Sequence, residues 1–320
     1  MALFVGACLF LASFACAVDS PESIKETDSF GIPDGALRLP PDANGGVPTT
    51  TLSVKTTMYG RPYSGVKVTV RAADDVSAPL SPGADGTTAF SVPAPGPITI
   101  SVLDLNAGSL GGPFSRDVTL DAGRNAETFQ IDDEMIRMAE RERREMIAKT
   151  LLKIDDLLAK RLESEPELDG DSTSGAPFQL TESDRKVVGA MGSWLLTTPL
   201  DEAFWNRLVE VRGLIARNRA LTAPSSIDPE NAYLAEAAGG NDPSKGISFG
   251  RPFFSTNSAC RREVDAHEYF HFIFKSNEHY YETKDPALAI KDPDRLAQLI
   301  AQIATGCVQN CTTSAHCVAP

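Results

Sequence analysis

Three side chains in the stretch CRREVDAHEYFHFIF, Cys260 to Phe274, have the types and spacing for metal-assisted hydrolysis: His267, Glu268 and His271, in the order H-E-x-x-H. On a helix, positions i and i+4 stand one above the other, so the two imidazoles can grip one divalent ion, zinc by preference. Glu268, next to the first histidine, is then placed to take a proton from water at that ion, the general-base role. Three of the chain's four histidines (His267, His271, His279) fall within thirteen residues. A carboxylate in so apolar a setting is costly unless a partner such as a metal compensates it. The competing reading is a core helix carrying two hydrogen-bonded histidines and a paired glutamate.

The elements that must position these groups can be read around them. Cys260, Val264, His267, His271 and Phe274 recur at helical spacing, and Phe270 and Ile273 make a second face apolar, so the spacing predicts a helix buried on more than one side. Upstream, NAYLAEA (231–237) and GISFGRPFF (246–254) read as two strands or extended segments. Thr181-Glu-Ser-Asp184 is a capping-box variant that starts a helix through Trp194 to Leu196. Asp201 caps another helix, with Phe204, Leu208, Val211 and Ile215 on one side, and both tryptophans read as core. Downstream, Asp285-Pro286 and Asp292-Pro293 are helix starts, and the last helix, 293–304, stops at Gly306.

The first half of the chain has a different pattern. Residues 18–46 form a Pro-, Gly- and Ser-rich lead-in. From 47 to 132 short runs alternate with a period of two, as in VKVTVRA and PITISVL, which predicts a small β-sandwich. Residues 133–177 supply a long charged helix to 164, with a stripe of Ile147, Leu151, Ile154 and Leu158, and then a linker. The segment MAERERREM within it reads as a solvated face. Residues 178–320 complete the chain as a mainly α (α+β) domain holding the histidine pair.

Composition narrows the partners and the compartment. The chain of 320 residues has 43 Asp and Glu against 30 Lys and Arg, a formal charge of -13, which repels phosphate backbones and argues against nucleic acid. Met1 to Ala17 is an uncharged apolar run closing on Ala15-Cys16-Ala17, the form of a secretory leader, although no Lys or Arg precedes it. Export to the extracellular space or a periplasm is the expectation, with a lipid anchor at Cys16 or Cys8 as the alternative. Past the leader four cysteines remain, Cys260, Cys307, Cys311 and Cys317, which suggests two disulfides of open connectivity. A second zinc site from the three C-terminal cysteines and His316 fits no known ligand spacing.

Residues 231–305 resemble the catalytic half of the deuterolysin and peptidyl-Lys metalloendopeptidase group, the aspzincins, through NAYLAEA, GISFGRPFF, HEYFHF, a carboxylate-x-x-Tyr element and DPALAIKDPDRLAQLI. The resemblance implies a zincin-like fold, a Zn2+ cofactor and peptide-bond hydrolysis. By the same match Glu278 is the third zinc ligand and Tyr281 the oxyanion partner. The Gly-Thr pair and the Gly after the Tyr that the family has are absent here, and the carboxylate is Glu rather than Asp, so His279 stands as a rival third ligand. Asp294 falls at the Asp of the run through which the peptidyl-Lys branch meets its lysine side chain, while Ala297 replaces that branch's second acidic residue. Within 47–132, DGTTAFSVPAPGPITISV is similar to transthyretin-like or immunoglobulin-like accessory modules.

The expectation is therefore a multidomain chain, an all-β sandwich followed by a zincin-like domain, acting as a secreted zinc metalloendopeptidase on protein or peptide substrates. The sandwich would dock to a cell surface or extracellular matrix, or serve as a spacer. The alternative, from another class, is an exported binding or adhesion protein whose peptidase-like half is a degenerate scaffold.

Overall fold

The computed structural model describes residues 49–73, 75–105, 113–121, 123, 125–164, 179–238, 242–256, 258–275 and 283–305. The leader, the lead-in, the linker, the segment holding Glu278, His279 and Tyr281, and Cys307, Cys311 and Cys317 fall outside them.

Among the described residues the first half forms eight strands: β1 (Thr49–Met58), β2 (Arg61–Pro62), β3 (Val66–Ala72), β4 (Asp75–Val76), β5 (Thr87–Pro93), β6 (Gly96–Asp104), β7 (Phe114–Leu120) and β8 (Asn125–Gln130). One sheet has the order β2-β1-β5, with β8 also paired to β1; the other has the order β4-β3-β6-β7. All pairings are antiparallel except β1 with β8, which is parallel from Leu52↔Asn125 to Thr57↔Gln130. The period of two decides which side chains turn inward: Leu52 and Val54, Phe90 and Val92 from one sheet, Val66, Val68, Val70, Ile98, Ile100 and Val102 from the other, all buried in one cluster.

Helix α1 (Ile131–Ser164) follows β8 without a loop. Asp132, in its first turn, accepts the Tyr59 N–H at 2.7 Å through Oδ2, tying the helix start to the end of β1. Ile131, Met135, Ile136, Met138 and Ala139 enter the sandwich core, whereas Met146, Ile147, Ile154 and Leu157 join a second cluster among the helices. The segment MAERERREM is therefore not a solvated face. Met138, Ala139, Arg143 and Met146 within it are buried, and Arg143 Nε donates to Asp265 Oδ2 at 2.7 Å.

The second half adds α2 (Glu182–Leu195), α3 (Glu202–Ala220), β9 (Ser225–Asp228), β10 (Ala235–Ala237), β11 (Ile247–Gly250), α4 (Arg251–Phe254), α5 (Ser258–Phe274), α6 (Pro286–Ala289) and α7 (Pro293–Thr305). Thr181 and Asp184 close the expected capping box, and Asp201 caps α3 through the Phe204 N–H. Strands β10, β11 and β9 form a three-stranded sheet in that order, β10 antiparallel and β9 parallel to β11. The stretch GISFGRPFF, expected to be extended, divides at Gly250 into strand and helical turn. A Cβ on Gly250 would stand 2.1 Å from the Tyr233 carbonyl oxygen, so only glycine lets the two segments approach.

Helix α5 sits where the two cores meet. Cys260, Val264, Tyr269 and Phe272 belong to the cluster shared with the sandwich, and Ala266 and Phe270 to the helical cluster. It packs against α7, α1 and β10, which accounts for its two apolar faces. Cys260 is fully buried. No described helix is long and apolar enough to cross a membrane.

Candidate metal centre

The helical register of α5 brings His267 and His271 to the same face, as the spacing requires. Their Nε2 atoms lie 2.9 Å apart, with the ring planes at 81°. Glu268 is beside them, Oε1 at 4.0 Å from His267 Nε2. Among the described residues these three form a cluster whose ligand atoms all lie within 4.8 Å of one another, and all three are buried. Two nitrogens about 2.0–2.1 Å from one tetrahedral zinc ion stand roughly 3.3 Å apart, so the observed pair needs only a small opening to hold one. Two unprotonated nitrogens this close repel each other unless a proton or a cation lies between them. The donor set fits a divalent cation with imidazole preference.

Neighbouring elements meet His267 and Glu268. Asp294, in the first turn of α7, places Oδ1 2.9 Å from His267 Nδ1. The edge strand β10 fixes the glutamate: the Ala237 N–H donates to Glu268 Oε2 at 2.7 Å. On either side of His267 along α5, the Arg143 guanidinium lies 3.7 Å from the Tyr269 ring centroid and pairs with Asp265, and it donates through Nη1 to Asn218 Oδ1 at 2.8 Å. Helices α1, α3 and α5 are thereby joined under the site by one buried polar network.

Electrostatics follow from this burial. Burial alone would lower the His267 pKa, yet its net direction is upward, because the Asp294 carboxylate lies against Nδ1 and the charges of Glu268, Asp294 and Asp292 surround the ring. For Glu268, burial pushes the carboxyl up, while His267 and the Ala237 N–H pull it down less strongly. Burial also pushes Asp265 up to about 6, against the pull of Arg143.

Of the residues singled out from the sequence, the structure brings together His267, Glu268, His271 and Asp294. Asp294 stands in the first turn of α7. It is 5% exposed with its carboxylate against His267, and Ala297 is 2% exposed in the helical core. Glu278, His279 and Tyr281 lie outside the described residues. Two contacts had no signal in the sequence, the Ala237 N–H behind Glu268 and the Arg143 network, since both join residues far apart in the chain. No known protein-family model matches the chain, and no curated protein matches it.

Proposed function

We propose that this chain is an exported zinc-dependent metalloendopeptidase of zincin-like type, acting on protein or peptide substrates. The observation that carries the reading is the convergence of two buried imidazole nitrogens to 2.9 Å with a carboxylate alongside. Export rests on the apolar run Met1–Ala17, and the third ligand is Glu278 or His279.

His267 and His271 would hold the ion, which when bound supplies Lewis-acid chemistry, acidifying water and polarising a carbonyl. Glu268 is the proton carrier. With Oε2 held by the Ala237 N–H, the carboxylate keeps its place beside the histidines, where it takes a proton from the attacking water and delivers it to the departing amine. Tyr281, by the family resemblance, steadies the oxyanion.

Digestion of casein, with and without a chelator, by wild type and Glu268→Gln tests this reading. Wild type should cleave, lose activity to the chelator and recover it with zinc. Glu268→Gln should be slower by about 10²–10⁴-fold while retaining its metal. Cleavage that survives chelation, or full activity in Glu268→Gln, excludes the mechanism. No cleavage by zinc-loaded wild type favours a binding protein built on a degenerate peptidase scaffold.

A further inference from the structure

Asp294 is a buried acid whose position is set with unusual care. Pro293 opens α7, and Asp292, itself fully buried, accepts the Asp294 N–H at 2.9 Å and the Arg295 N–H at 3.3 Å through Oδ1. Arg295 in turn reaches the Trp194 carbonyl at 3.5 Å and the Thr283 carbonyl at 3.4 Å. The helix start is thus tied down on both sides, and the carboxylate it carries has little freedom. Its Oδ1 is 2.9 Å from His267 Nδ1, with both side chains over nine-tenths buried. A carboxylate there is placed to accept an Nδ1–H, which would leave the lone pair of the neutral ring on Nε2, the atom facing His271.

We propose that Asp294 is a positioning residue of the metal centre: it fixes the His267 tautomer and ring orientation, and so raises the affinity of the His267–His271 pair for a divalent cation. The inference rests on the metal-site reading above and adds to it a residue on a different helix. It also gives α7 a task at the site, namely presenting one oxygen to one ring nitrogen. Loss of such an outer partner lowers metal affinity about 10–100-fold.

The test is zinc affinity of the full chain by competition with a chromophoric chelator at fixed pH, for wild type, Asp294→Ala and Asp294→Asn. Nitrogen-15 NMR of the metal-free protein accompanies it, to read the His267 tautomer. Wild type should show the Nδ1–H form, and Asp294→Ala should lose that preference and bind zinc about 100-fold more weakly. Asp294→Asn, which keeps the volume and an acceptor oxygen but not the charge, should lose about tenfold. If Asp294→Ala does not fold, Asp294→Asn decides alone. Wild-type affinity in a folded variant, or a wild-type ring protonated on Nε2, overturns the proposal while leaving the metal site standing. A wild type that binds no zinc removes the metal-site reading itself, and the proposal with it.

Discussion

His267 and His271 differ in how much of their setting a single helix can supply. The four-residue spacing alone stacks the rings, whereas the carboxylate 2.9 Å behind His267 Nδ1, that of Asp294, comes from another helix. On the proposed zinc reading a third ligand comes from beyond α5, where the sequence offers Glu278 and His279. Metal content of purified Glu278→Ala and His279→Ala beside wild type should name it: the variant that empties the site carries the ligand. His267→Ala is the control, expected to empty the site. Should both variants keep full zinc, neither residue is the ligand.

Among the elements, α1 and α7 contribute most to holding α5. Arg143 and Asp265 are both fully buried, so removing one partner strands a charge. Arg143→Ala should cost about 3–5 kcal/mol in urea unfolding, more than an exposed substitution such as Arg144→Ala, which should be near neutral. Equal effects from the two would show that the network does not hold the helices together. At the start of α2, Asp184 is a second buried acid, contacted by Lys153 and Lys160 from α1 and by the Thr181 N–H at 2.9 Å. Burial would raise its pKa, but Lys153, Lys160 and Thr181 together hold it well below the carboxylate range. A carboxylate depressed on folding stabilises the fold above its unfolded pKa of about 3.9, and that stability fades as pH falls through the lower folded value. Asp184→Asn should therefore lose about 2 kcal/mol at neutral pH and a smaller amount near pH 2. A difference that does not shrink in acid would mean that the lost cap, rather than the charge, is responsible.

Across the whole molecule, the change of pattern at 132 marks where strands give way to helix, but not where packing stops. One hydrophobic cluster runs from Leu52 in β1 through Phe129 and Ile131 to Phe249, Tyr269 and Phe272 beside the histidine pair. Both tryptophans lie in the helical half, Trp205 buried and Trp194 donating to Gln302 Oε1 at 2.6 Å. They report on that half alone. Phe129→Ala in the sandwich, at 1% exposure, should cost about 3–5 kcal/mol and lower the unfolding midpoint seen by tryptophan fluorescence. An unchanged tryptophan transition would mean that the sandwich and the helices unfold independently.

The sequence by itself determined what local rules can specify. The strands followed from the period of two at Val66, Val68 and Val70, the helix starts from caps at Thr181, Asp201 and Asp285, and the shared face of His267 and His271 from a four-residue interval. These depend on neighbours within one or two turns, where backbone geometry leaves few choices. Only the tertiary structure decided that Asp294 faces an imidazole, that Ala237 holds Glu268, and that Arg143 in an outwardly polar segment is buried against Asp265. Each of those contacts joins side chains from separate elements, and their meeting depends on how helices and strands pack, which no local periodicity encodes.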